Sequence, residues 1–125
     1  MRLDYFEDLQ ATPARVLLMH DFGASDVHLL LEAVRGLGNR VVDGLQIDEL
    51  PGFWGSCSLE AAVGDQDLGI EPAGARGRAF RCVLSPAGWQ RALGLLEPFM
   101  DGAEGFQHLT EAGSVEWIIS TDGKW

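Results

Sequence analysis

A chain of 125 residues, 46% hydrophobic and 22% charged, is long enough to bury a core of its own and too apolar to stay disordered, so one domain over residues 1–125 is expected. Its formal charge of -10, from 19 acidic against 9 basic residues, repels nucleic-acid phosphates and anionic lipid headgroups and argues against both as direct partners. No apolar run approaches the roughly 20 residues that span a bilayer, and Met1 to Asp8 carries neither region of a secretory signal, which points to the cytoplasm.

Sixteen glycines imply many short elements joined by turns rather than a helical bundle. Leu3 to Phe6 reads as a short edge strand. After the break at Pro13, Val16-Leu17-Leu18-Met19 has no polar alternation, so Val16 to Phe22 is expected as a central strand buried on both faces. Ser25 can cap a helix over Asp26 to Leu37, whose apolar stripe is Val27, Leu30, Leu31, Val34 and Leu37, with His28, Glu32 and Arg35 opposite. Gly36, Gly38 and Asn39 supply its stop.

Arg40 to Leu50 alternates, with Val41, Leu45 and Ile47 on one side, and predicts a strand that Pro51-Gly52 ends. A second strand alternates from Cys57 to Val63, a short one is expected near Leu68 to Glu71, and another runs from Ala79 to Leu84 with Phe80, Cys82 and Leu84 on one face. Ser85-Pro86 opens the second helix, carrying Trp89, Leu93 and Leu96, which Pro98 should bend or end. Phe106 to Glu111 and Val115 to Ser120 read as a closing hairpin around Ala112-Gly113. The order predicts an α+β domain, a mostly antiparallel twisted sheet of about six or seven strands with two helices packed on one face. No internal repeat is visible, because the two strand-to-helix passages share no pattern beyond their order.

Charge is distributed in blocks. Residues 41–75 hold seven acids and no Lys or Arg, whereas Arg76, Arg78, Arg81 and Arg91 follow without an acid between them. Pairing of the strand around Glu60 with the strand around Arg81 would set the two blocks against each other as cross-strand ion pairs. Alternatively the acidic block faces a basic partner, or serves solubility alone.

Two cysteines, Cys57 and Cys82, are too few for a disulfide framework and read as small buried hydrophobes. His20-Asp21, at the end of the central strand, is a place where a histidine beside an acid can act as a base or as half of a metal site, with His108 a third member if the fold brings it near. The spacing matches no zinc pattern, no nucleophile elbow and no phosphate-binding loop, so no catalytic set, metal or cofactor is assigned. In Leu50-Pro51-Gly52-Phe53-Trp54-Gly55 two large aromatics sit among turn residues. They either fold back as a lid on the core or, with the neighbouring Asp48 and Glu49, stand out as an anchor for a partner. Trp125 poses the same choice, while Trp89 and Trp117 fit periodic apolar faces and read as core.

Two functions follow from these residues. The first is a small non-enzymatic protein-binding domain with an acidic surface; the second is a small enzyme or metal-binding protein built on His20, Asp21 and His108. A homodimer joined through the aromatic loop or a sheet edge is a third arrangement. In size, acidity and mixed α+β order the chain resembles the small cytoplasmic immunity proteins that bacteria keep against their own secreted toxins. That resemblance implies another protein as partner, and eight arginines against one lysine suit a GC-rich bacterial genome.

Overall fold

The computed structural model describes residues 1–74, 78–110 and 112–125. In chain order the elements are β1 (Arg2–Glu7), β2 (Arg15–His20), α1 (Ala24–Gly38), β3 (Gly44–Gln46), a 3-10 turn (Ile47–Glu49), β4 (Trp54–Gly55) and β5 (Ser58–Val63). They continue as β6 (Gly69–Pro72), β7 (Ala79–Leu84), α2 (Pro86–Met100), β8 (Phe106–Thr110) and β9 (Glu116–Ser120). The fold is α+β, with two helices and two mixed sheets ordered β4-β1-β2-β9-β8 and β3-β5-β7-β6 among the described residues.

The single, mostly antiparallel sheet expected from the sequence is therefore divided in two. Its hairpins are present: β1 with β2, β3 with β5, β6 with β7 and β8 with β9 all pair antiparallel. Each sheet, however, joins two of these hairpins along a parallel seam, β2 with β9 and β5 with β7. Apart from the two-residue β4, the chain thus runs β-β-α-β-β twice, and the second hairpin of each half is exchanged into the sheet begun by the other half. No repeat is legible in the residues, yet the topology is duplicated.

A small latch is duplicated with it. In the first half Gly55 lies against Leu3, and the Ser56 amide donates to the Leu3 carbonyl (2.9 Å) and to the Asp4 carboxylate (3.1 Å). In the second half the Ser114 amide donates to the Ile70 carbonyl (3.1 Å) and to the Glu71 carboxylate (3.0 Å). A Cβ on Gly55 would sit 1.8 Å from the Leu3 oxygen and one on Gly113 2.5 Å from the Ile70 oxygen, so both approaches require glycine.

One core gathers the inner faces of both sheets and the stripes of both helices, with Trp89 and Trp117 edge to face at 6.0 Å. All five stripe residues expected on α1 are buried. The cap differs: the helix starts at Ala24 behind Gly23, and Asp26 rather than Ser25 serves its first turn. The Asp26 carboxylate accepts from the Gly23 amide (3.0 Å) and lies 3.2 Å from the Met1 ammonium.

The strand expected over Arg40 to Leu50 shrinks to the three residues of β3, because Arg40 turns left-handed at the end of α1 (φ +55) and Ile47 begins the 3-10 turn. Val41, expected to face inward, is 77% exposed. α2 starts as expected, with Ser85 Oγ accepting from the Gly88 amide (3.1 Å), but runs through Pro98 to Met100. So near the helix end and facing solvent, Pro98 forfeits one ladder bond, and its own carbonyl accepts from Asp101 (3.1 Å) and Ala103 (2.9 Å). Glu111 and residues 75–77, in the expected hairpin and connector, lie outside the described residues.

Candidate functional site

The alternation of β1 and β2 decides which side chains share the outer face of the five-stranded sheet. Register pairs Arg2 with His20, Asp4 with Leu18 and Phe6 with Val16, so these six point the same way, and Trp54 on β4 stands beside Arg2. The Arg2 guanidinium lies 4.7 Å from the Trp54 ring centroid, and its Nε is 2.6 Å from Asp4 Oδ2 as an ion pair without hydrogen-bond alignment. Asp4 Oδ2 is also 2.8 Å from His20 Nε2. Burial alone would raise the Asp4 carboxyl, but hydrogen bonds from His20 and from the side chain and amide of Ser56, with Arg2 beside them, hold it below the usual range.

The partner of His20 is therefore Asp4, sixteen residues upstream, and not Asp21. Asp21 is exposed at the bend after β2, with φ +52. An aspartate in a strand is uncommon, and Asp4 in Leu3 to Phe6 was the one sequence signal for this contact.

The last residues fold back over the same face. Ser120 Oγ is shared between the Lys124 carbonyl (2.7 Å) and the Asp122 carboxylate (3.0 Å), a Cβ on Gly123 would lie 3.7 Å from His20 Nδ1, and Trp125 packs on Phe6 at 5.4 Å. This path, from Ser120 past His20 to Phe6, crosses the outer face that carries Val16, Leu18 and Ile118, a second, fully buried cluster, and Trp125 lines one hollow with Val16 and the turn before β2. Trp125 itself remains 42% exposed.

His108, on β8, shares this outer face but has its own acid, with Nδ1 3.2 Å from Glu116 Oε2. β9 separates it from β2, and His28 is exposed on α1. Among the described residues no group of three or more His, Cys, Asp or Glu side chains is placed to hold a metal ion. The thiols are no better suited to chemistry: burial, then the carboxylates of Asp4 and Asp48, push Cys57 up to about 12, and burial pushes Cys82 up as well.

The aromatic loop divides its two rings. Phe53 is buried in the main core, whereas Trp54 is 52% exposed over Arg2. The two adjacent acids divide likewise. Asp48 is spent inside the fold, accepting from the Leu59 amide (2.8 Å) and from Gln46 Nε2 (2.9 Å). Glu49 is exposed, with no ion-pair partner among the described residues, and borders a groove between α1 and β3 floored by Leu29, Leu45 and Leu50.

Charge completes the picture. Glu60 and Arg81 are paired at 3.0 Å in the expected cross-strand register, and Asp67 holds Arg91. Arg2, Arg15 and Arg35 are likewise matched to Asp4, Glu7 and Glu32. Asp43, Glu49 and Asp65 are left exposed with no ion-pair partner among the described residues. No described helix is long and apolar enough to cross a membrane. No protein-family model, no curated protein and no solved structure matches the chain.

Proposed function

We propose that this chain is a non-enzymatic protein-binding domain, immunity-like or regulatory in kind, that works in the cytoplasm and meets a basic partner protein with its acidic surface. The observation that carries this reading is the uneven use of charge. Most described arginines are committed to the chain's own carboxylates, so the net charge of -10 is displayed to solvent by acids such as Asp43, Glu49 and Asp65. A surface of one sign attracts a partner of the other over several ångströms, raises its association rate and disfavours partners of like charge.

The test is affinity capture on the purified chain beside a variant carrying Asp43→Asn, Glu49→Gln and Asp65→Asn. The expected result is a stoichiometric basic protein that elutes with salt from the parent chain and is not retained by the variant. A partner held equally by both, or none at all, would end the reading.

A further inference from the structure

The groove between α1 and β3 exists because of how α1 ends. The Arg40 amide donates to the Leu37 carbonyl (3.2 Å) and the Val41 amide to the Gly36 carbonyl (2.9 Å), a Schellman closure with Arg40 in the left-handed position. Such a closure ordinarily folds the residue after the left-handed one onto the side chain at the Gly36 position. Glycine offers no side chain there, so Val41 is held out by its backbone at 77% exposure with Val42 beside it at 38%.

These two valines form one lip of the groove, whose volume is about 570 Å³, and Glu32 and Glu49 stand at its rim. Glu32 is engaged by Arg35 at 2.6 Å, which leaves Glu49 and, next to Val42, Asp43 as the uncommitted carboxylates. β3 is the edge of its sheet and three residues long, so among the described residues no further strand walls the groove on that side.

We infer that this groove is the docking point for a basic segment of the partner protein, an inference that rests on the binding reading above. An aliphatic or aromatic side chain of that segment enters over Leu29, Leu45 and Leu50, and flanking Lys or Arg residues face Glu49 and Asp43. Charge complementarity selects this occupant. A second copy of the chain would bring a like-charged surface, and an anionic membrane would be repelled.

The experiment uses the full chain and, as probe, a short amphipathic peptide of leucine, alanine and lysine, followed by methyl and amide NMR shifts. Shifts should centre on Leu29, Val41, Val42, Leu45 and Leu50 and weaken with salt. Val41→Ser with Val42→Ser, both at exposed positions, should weaken binding about tenfold through lost apolar contact. Glu49→Lys should weaken it roughly fivefold and flatten the salt dependence.

Shifts centred elsewhere, with the valine variant binding unchanged, overturn the groove but leave an acidic binding surface intact. A glutamate-substituted peptide binding equally well overturns both. Concentration-dependent shifts of the same methyls without peptide assign the groove to a second copy and overturn the present occupant.

Discussion

The outer faces of the two sheets occupy equivalent places in a duplicated topology and have opposite fates. On the five-stranded sheet, Leu18 and Ile118 meet across the parallel β2/β9 seam and are fully buried. At the matching place across the β5/β7 seam stand Arg81 and Glu60, exposed and paired at 3.0 Å. What separates them is cover. Residues 121–125 fold over the first face, and no described segment does the same for the second. A sheet face need not be polar because it lies outside the helices; it needs only something to exclude water from it.

The widest gap between the faces should appear on truncation of their central residues. Leu18→Ala removes a fully buried side chain from a packed cluster and should cost about 3 kcal/mol in urea denaturation. Arg81→Ala removes a half-exposed ion-pair partner and should cost less than about 1 kcal/mol. Equal losses would mean that the tail does not seal the first face.

Deleting residues 121–125 addresses the cover itself. It uncovers Val16, Leu18 and Ile118 and removes the Trp125 ring from Phe6, for a loss on the order of 2 kcal/mol together with new binding of a hydrophobic dye. A thermal midpoint and dye signal unchanged from the parent chain would place the cover elsewhere.

Asp4→Asn probes the polar end of the same face and should cost about 1.5 kcal/mol near neutral pH, since a charged acceptor for His20 and Ser56 is lost. Its pH dependence has a definite sign. The Asp4 carboxyl lies lower in the folded chain than its ordinary value of 3.8, so its contribution is full above that value and disappears as the pH falls through the folded one. The acid limb of the variant's stability curve should accordingly be shallower than the parent's. Asp67, held down by hydrogen bonds from Ser85 and by Arg91, should shape the same limb in the same sense, so identical limbs in Asp4→Asn and the parent would mean that Asp67 dominates.

The contrast between the faces was half written in the residues. Val16-Leu17-Leu18-Met19 lacks alternation and does sit with both faces buried, while Phe80-Arg81-Cys82 alternates and sits with one. The Glu60–Arg81 pairing followed from opposite charge blocks on neighbouring strands. The exchange of hairpins was not legible, because local patterning specifies a strand's faces but not which distant strand lies beside it. For the same reason adjacency in sequence offers Asp21 as the acid beside His20, whereas cross-strand register delivers Asp4. Alternation also misled over Val41, where backbone hydrogen bonds to Gly36 outweigh the apolar side chain. Gly123 and Trp125 gave no periodic signal at all, and their place on the outer face, tied down at Ser120, comes from tertiary contacts alone.

The smallest effect discriminates most finely. Glu60 and Arg81 face each other across a parallel seam on an open face, and both side chains are about half exposed, at 48% and 53%. Water and salt screen such a pair, and ordering two long side chains offsets part of its attraction, so a double-mutant cycle of Glu60→Ala and Arg81→Ala should give a coupling below about 1 kcal/mol that fades with salt. Glu71 also faces Arg81 from β6, but its carboxylate is bound to Ser114, so it should compete weakly for the guanidinium freed in Glu60→Ala. A coupling of several kcal/mol, insensitive to salt, would mean that this face too is shielded from water, and the contrast between the sheets would then lie in chemistry rather than in cover.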